Sequence, residues 1–197
     1  MNNDYTKKLI YEIPHSIPDL LCDDIISLFE ECKELHRKGN TLGGVQENIK
    51  KTTDMEIPKN DPKWKKIEVF LYKELNKALT NYTKELRNII SEYKLLDNEL
   101  SVNNFMIQKY KQNDGKYTYH HDFTVDYENN RCRVITFLWY LNDVVEGGET
   151  EFFGTNKCVI RPEKGKLLLF PASWCFPHRG CMPLSGDKYI ITNWFYE

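Results

Sequence analysis

The sequence predicts an α+β chain, helical in its first half and built as a β-sandwich or barrel in its second. Three observations carry that expectation. Up to about residue 100, apolar residues recur every three or four positions. Beyond it, runs of β-branched and aromatic residues are cut by turns rich in Gly, Asn and Asp. Aromatic residues reach 13% of the chain, with twelve Tyr and ten Phe, and these side chains suit a pleated, half-buried surface.

The elements follow in order. Ser16-Ile17-Pro18-Asp19 reads as a helix start, with Ser16 as cap and Pro18 in the first turn. Leu21, Ile25, Leu28, Phe29 and Cys32 then share one helical face, and Gly39 marks the stop. Residues 39–62 form a polar connection with room for one short strand. Asp61-Pro62 opens a second helix faced by Trp64, Ile67, Leu71, Leu75, Leu79, Tyr82, Leu86 and Ile89. That run exceeds the usual helix length, so a break is expected at Thr80-Asn81. Strands are expected over 105–110, 133–141, 150–153, 158–160, 166–170 and 188–196, with turns at Asn113-Asp114-Gly115, Glu146-Gly147-Gly148-Glu149, Pro162-Glu163-Lys164-Gly165 and Ser185-Gly186-Asp187. No repeat or linker divides the 197 residues, so one domain is expected over 1–197, with a helical support region at 1–100 and a strand-built core at 101–197.

Bulk composition excludes some functions. A net charge of −2 gives no general attraction to nucleic acid or to anionic membranes, and neither is an expected partner. No segment approaches the length of a membrane span. The opening MNNDYTKKLIYEIPHS lacks the apolar core of a secretory signal, so the expected location is cytoplasmic. The six cysteines show no C-x-x-C spacing and are read as reduced thiols acting as small buried hydrophobes.

Chemistry concentrates in YTYHHDF, residues 117–123, where two of the chain's five histidines adjoin an aspartate. In a strand, positions i and i+2 share a face, so His120 and Asp122 converge while His121 points the other way. The third leg of a metal site then falls to His178, which lies in the strand-rich half, whereas His15 and His36 lie in the helical half. Two imidazoles and one carboxylate form the facial triad of non-haem Fe(II) oxygenases. Neutral imidazoles bind Fe(II) without excess charge, and three positions stay open for a bidentate 2-oxo acid and O2. A dicarboxylate needs a cation for its far end, and Lys188, ten residues after His178, can return beside the metal through the turn at Ser185-Gly186. The hydroxyls of Tyr110 and Tyr140 are candidates to share that carboxylate.

The second half resembles the catalytic domain of prolyl 4-hydroxylases, in the Fe(II)/2-oxoglutarate dioxygenase superfamily. The pieces that carry the likeness are Lys109-Tyr110, YTYHHD at 117–122, RVITFLWYLN at 133–142, EGGETEF at 146–152, PEKGKLLLF at 162–170 and HRGCMPLSGDKYIITNW at 178–194. The resemblance implies a double-stranded β-helix, or jelly roll, with helices in support. It implies iron held by His120, Asp122 and His178. Lys188 would then hold 2-oxoglutarate, with Tyr110, Tyr140, Thr136 and Thr192 lining the cosubstrate pocket. Arg133, Glu149 and Trp194 would lie toward a peptide or protein substrate, and L-ascorbate would rescue oxidised iron. The implied reaction hydroxylates a prolyl residue and releases succinate and CO2.

Two other readings compete. One is hydroxylation of a different side chain, such as lysine, or of a free amino acid. The other is a jelly roll that binds metal or peptide without turnover, against which the intact triad and Lys188 argue. The sequence leaves the oligomeric state open.

Overall fold

Alternation along the strands decides the layering of this protein. Its computed structural model describes residues 5–89, 99–154 and 158–197. In chain order these form α1 (Tyr5–Lys8), β1 (Tyr11–Ile13), α2 (Asp19–Glu31), β2 (Arg37–Lys38), β3 (Lys50–Lys51), β4 (Thr53–Glu56) and α3 (Pro62–Ile89). Then follow β5 (Ser101–Val102), β6 (Met106–Tyr110), β7 (Lys116–His120), β8 (Val125–Asp126), β9 (Arg131–Tyr140) and β10 (Thr150–Phe152). The chain closes with β11 (Cys158–Ile160), β12 (Leu167–Pro171), β13 (His178–Gly180) and β14 (Lys188–Tyr196).

Among the described residues, a larger sheet runs β1-β12-β9-β14-β6-β4-β2, with β5 beside β14 and β8 beside β9. A smaller sheet runs β11-β10-β13-β7-β3. All these pairings are antiparallel, and the two sheets form a β-sandwich. The larger sheet is apolar on both faces because both are covered. Phe137, Trp139, Leu167, Leu169, Ile107 and Ile191 pack with Ile25 and Phe29 of α2 and with Trp64, Leu71 and Leu75 of α3. Leu138, Tyr140, Leu168, Phe170 and Ile190, one position out of phase, pack with Phe152 and Ile160 of the smaller sheet. Each strand therefore sends odd positions to the helices and even positions between the sheets.

Several details depart from expectation. Ser16 does not cap α2: Pro18 occupies the cap position, and the Ser16 hydroxyl accepts a bond from Trp139 Nε1 at 3.0 Å. The helix stops at Glu31, well before Gly39, where Cys32 leaves helical geometry and His36 stacks on Phe29 at 4.1 Å. No break interrupts α3 at Thr80-Asn81. Both residues are exposed, so their weak propensity costs only tenths of a kcal/mol. Buried Ala78, Tyr82 and Leu86 carry the stripe past them, and the Tyr82 hydroxyl donates to the Leu9 carbonyl at 2.7 Å. The helical reading of residues 90–98 falls outside the described residues. The connection over 39–62 holds two short strands rather than one, β3 and β4, and β4 extends the larger sheet beside β6. Cys22 is buried, but Cys175 is exposed and Cys32, Cys132 and Cys181 are half-buried, all four outside any disulfide.

The turn before β12 has one strict demand. Gly165 has φ +77°, and a Cβ there would collide with the Ile17 carbonyl oxygen. Its own carbonyl accepts the Ile17 N–H at 3.1 Å. Gly165→Ala is expected to lower stability by roughly 1–3 kcal/mol, read as a urea or thermal midpoint, because it adds both strain and a clash.

Candidate metal centre and its cavity

The registers bring distant histidines together. β13 pairs with β7 so that His178 lies directly opposite His120, 58 residues away in sequence. Asp122 follows β7 by two residues and turns its buried carboxylate to both rings. His120 Nε2 lies 3.6 Å from Asp122 Oδ1, and His178 Nε2 lies 3.5 Å from Asp122 Oδ2. Ligand atoms of the three residues lie within 4.8 Å of one another, and no other such group occurs among the described residues.

Their surroundings prepare them to bind a cation. His120 Nδ1 lies 2.8 Å from the Thr118 carbonyl, and His178 Nδ1 lies 3.0 Å from the Phe176 carbonyl. A carbonyl only accepts, so both Nδ1 atoms carry the proton and both Nε2 lone pairs are free for a metal. Burial, aided by neighbouring His178, pushes His120 down to about 4, so its ring is neutral at physiological pH. Burial alone would raise Asp122. His178, His120 and the Thr136 hydroxyl outweigh it and hold the carboxyl below its ordinary value. Tyr117 stacks on His120 with centroids 3.5 Å apart and fixes the ring plane.

The three residues sit in the wall of a cleft of about 1090 Å³ between the sheets. Lys188, Tyr110, Thr136, Thr192, Arg133 and Trp194 line the same cleft. Strand parity explains why: Thr136, Lys188, Thr192, Trp194 and Tyr110 all take the inward phase. Tyr140 and Glu149 do not line it. Tyr140 is fully buried, and its hydroxyl reaches the Thr150 hydroxyl at 2.6 Å, so it orients a cavity residue from behind. Glu149 is half-buried, and its carbonyl accepts the Cys181 N–H at 2.8 Å. Thr136 donates to Asp122 Oδ2 at 2.7 Å, and thereby orients the carboxylate. His121 is exposed and lies outside the three-residue cluster.

Lys188 is the unusual group. It is 1% exposed, donates to the Gly148 carbonyl at 2.9 Å, and lies 3.9 Å above the Tyr110 ring. No carboxylate pairs with it among the described residues, and burial pushes it down to about 7. A buried ammonium held only by a carbonyl and a ring face suits an incoming anion. A further donor on the cleft wall, Arg133 Nε, is buried without an acceptor among the described residues. The Arg133 guanidinium stacks on Trp194 at 3.3 Å. Sequence reasoning missed Lys50, Asp54, Gln108, Tyr117 and Thr150, all of which line the cleft. Phase alone points to Gln108, two positions before Tyr110. Lys50 and Asp54 carry no local signal.

Two imidazoles and one carboxylate, with no fourth protein ligand in reach among the described residues, fit a non-haem Fe(II) centre with open positions. Comparison with known proteins points the same way. Residues 105–196 match the family model described as the 2OG-Fe(II) oxygenase superfamily. Prolyl 4-hydroxylase 1 of Arabidopsis thaliana is 36% identical over 106 residues, which cover 41% of this chain and 36% of that protein. The match thus spans about a third of that relative. Among solved structures, a prolyl hydroxylase from Trichoplax adhaerens, in complex with a hypoxia inducible factor oxygen degradation domain peptide fragment, superposes with TM-score 0.72 at 18% identity, over 98% of this chain and 86% of that one. The viral collagen prolyl hydroxylase of Paramecium Bursaria Chlorella virus-1, in its 2OG complex, gives TM-score 0.66 at 19% identity, over 95% and 96% of the two chains. Over residues 105–196 the chain is similar to the 2OG-Fe(II) oxygenase superfamily. No helix among the described residues is long and apolar enough to cross a membrane.

Proposed function

We propose that this protein is a 2-oxoglutarate-dependent dioxygenase that hydroxylates prolyl residues in a peptide or protein. The observation that carries it is the His120–Asp122–His178 cluster sharing one cleft with the unpaired buried ammonium of Lys188. On this reading the sandwich is a double-stranded β-helix, residues 1–197 act as one domain, and ascorbate keeps the centre reduced. The named relatives, all prolyl hydroxylases, favour proline as the target.

Fe(II), with 2-oxoglutarate and O2, supplies oxidation of a C–H bond to an alcohol, coupled to decarboxylation to succinate and CO2. The protein's own groups prepare that chemistry. His120, Asp122 and His178 would hold the metal through two Nε2 atoms and one carboxylate. Thr136 orients the carboxylate, and the Thr118 and Phe176 carbonyls set both tautomers. Lys188, which lies over the Tyr110 ring, would bind the distal carboxylate. Leu138, Phe170 and Ile190 line the cleft and exclude water from the reacting carbon. Arg133 and Trp194 face the peptide.

To test this reading, the protein is incubated with Fe(II), 2-oxoglutarate, ascorbate and proline-rich and lysine-bearing peptides, with peptide masses and succinate measured together. One added oxygen on proline is expected. Oxygen on lysine would move the substrate, and iron-loaded protein giving no succinate would overturn the enzyme reading.

A pH dependence follows from Lys188. Below its value of about 7 the ligand-free ammonium is already charged, so binding a carboxylate takes up no proton. Above that pH, binding must bring a proton with it. Affinity for 2-oxoglutarate is therefore expected to fall as pH rises, approaching about tenfold per pH unit with one proton taken up. Calorimetry in buffers of different ionisation heat measures both.

A further inference from the structure

The cleft carries a second buried lysine that the proposed chemistry does not use. Lys50 is 3% exposed, lines the cleft, and lies 2.7 Å from Asp54 Oδ2. Asp54 is 2% exposed and also accepts the Thr52 hydroxyl at 2.7 Å. The pair joins the two sheets: Lys50 is the partner of Tyr117 in the smaller one, and Asp54 the partner of Gln108 in the larger. Burying an ion pair is seldom the most stable use of such a position, since apolar residues of like volume serve as well or better. Its placement on the cleft wall therefore calls for another reason.

The donors of Lys50 supply one. An ammonium has three N–H groups. One goes to Asp54, and a second makes a long bond of 3.4 Å to the Asn40 carbonyl. No described protein oxygen takes the third. The nearest other group is the Tyr117 ring, its centroid 5.5 Å away, and Tyr117 stacks on His120. Lys50 thus stands between the iron-side ring and the loop of residues 39–49. That loop contributes Leu42 and Val45, 82% and 54% exposed, to the same cleft.

The two buried lysines differ in a way that sorts their ligands. Lys188 has no carboxylate beside it and suits an anion. Asp54 already neutralises Lys50, so a further negative charge gains little there. A neutral carbonyl acceptor gains a charge-assisted hydrogen bond. We propose that Lys50 is a substrate-binding residue whose free N–H donates to a main-chain carbonyl of the peptide, beside the residue that is oxidised. This inference rests on the peptide-hydroxylase reading above.

The test uses the full chain with Mn(II) in place of Fe(II) and saturating 2-oxoglutarate, so that no turnover occurs. Binding of a labelled proline-rich peptide, selected as a substrate of the wild type, is followed by fluorescence anisotropy. Lys50→Met alone strands Asp54 and endangers folding, so the decisive variant combines Lys50→Met with Asp54→Asn, which keeps an acceptor for Thr52. Circular dichroism and the thermal midpoint check its fold. Peptide affinity is expected to fall about tenfold or more, the loss of one bond to a charged donor, with 2-oxoglutarate affinity within about twofold of wild type. Lys50→Arg is expected to restore part of the peptide affinity. A folded double variant that binds peptide like wild type overturns the proposal, and so does a parallel loss of peptide and 2-oxoglutarate. Wild type that loads metal and 2-oxoglutarate but binds and oxidises no peptide overturns the peptide-hydroxylase reading itself, and this proposal with it.

Discussion

His178→Ala is expected to abolish iron loading and turnover together. His178 provides one of two Nε2 atoms around Asp122, and no other His, Cys, Asp or Glu among the described residues lies close enough to replace it. Loss of a partner that only orients a ligand costs about 10–100-fold, so loss of a ligand should exceed that range. Iron titration followed by metal analysis reads the binding, and succinate release reads the turnover. His121→Ala is the informative contrast. Its ring lines the cleft but lies outside the three-residue cluster, so iron affinity should stay at the wild-type value. Iron lost in His121→Ala and kept in His178→Ala would refute the assignment.

Lys188→Met is expected to separate the cosubstrate from the metal. The substitution keeps an apolar stem of similar length in a fully buried place and removes the ammonium. Truncating one member of a buried, hydrogen-bonded charge pair costs roughly 2–5 kcal/mol, so the 2-oxoglutarate Kd should rise about 30-fold or more. Iron affinity should hold. Stability should move the other way. The ligand-free fold must bury an unpaired cation whose pKa is about 7, against an ordinary 10.5. Between those values the unfolded chain binds more protons, so wild-type stability should rise with pH across that window, and Lys188→Met should remove the rise. Denaturant midpoints at several pH values report it. An unchanged 2-oxoglutarate Kd would place the dicarboxylate elsewhere.

Much of the site's membership was legible in the sequence, and the reason is local geometry. Successive strand residues face opposite ways, so Lys188, Thr192 and Trp194 must share a face whatever surrounds them. The same holds for the 3.6-residue stripe that put Trp64, Ile67, Leu71, Leu75, Tyr82 and Leu86 on one side of α3. The H-x-D spacing in YTYHHDF likewise belongs to the chain itself. Where local structure ended, so did the reading: β7 stops at His120, two residues short of Asp122.

The remaining decisions were tertiary. The register that sets His178 opposite His120 arises when β13 inserts between β10 and β7. Tyr140 has the inward phase of Thr136, but β9 carries it past the cleft to Thr150, and only the length of strand between them decides that. Continuity of α3 through Thr80-Asn81 followed from buried neighbours on both sides, which outweigh two weak helix formers in water. Lys50 and Asp54, four residues apart in a stretch that read as polar connection, became a buried pair because β3 and β4 join different sheets. Periodicity reports which face a residue takes. What it meets there depends on which strands the packed core sets side by side.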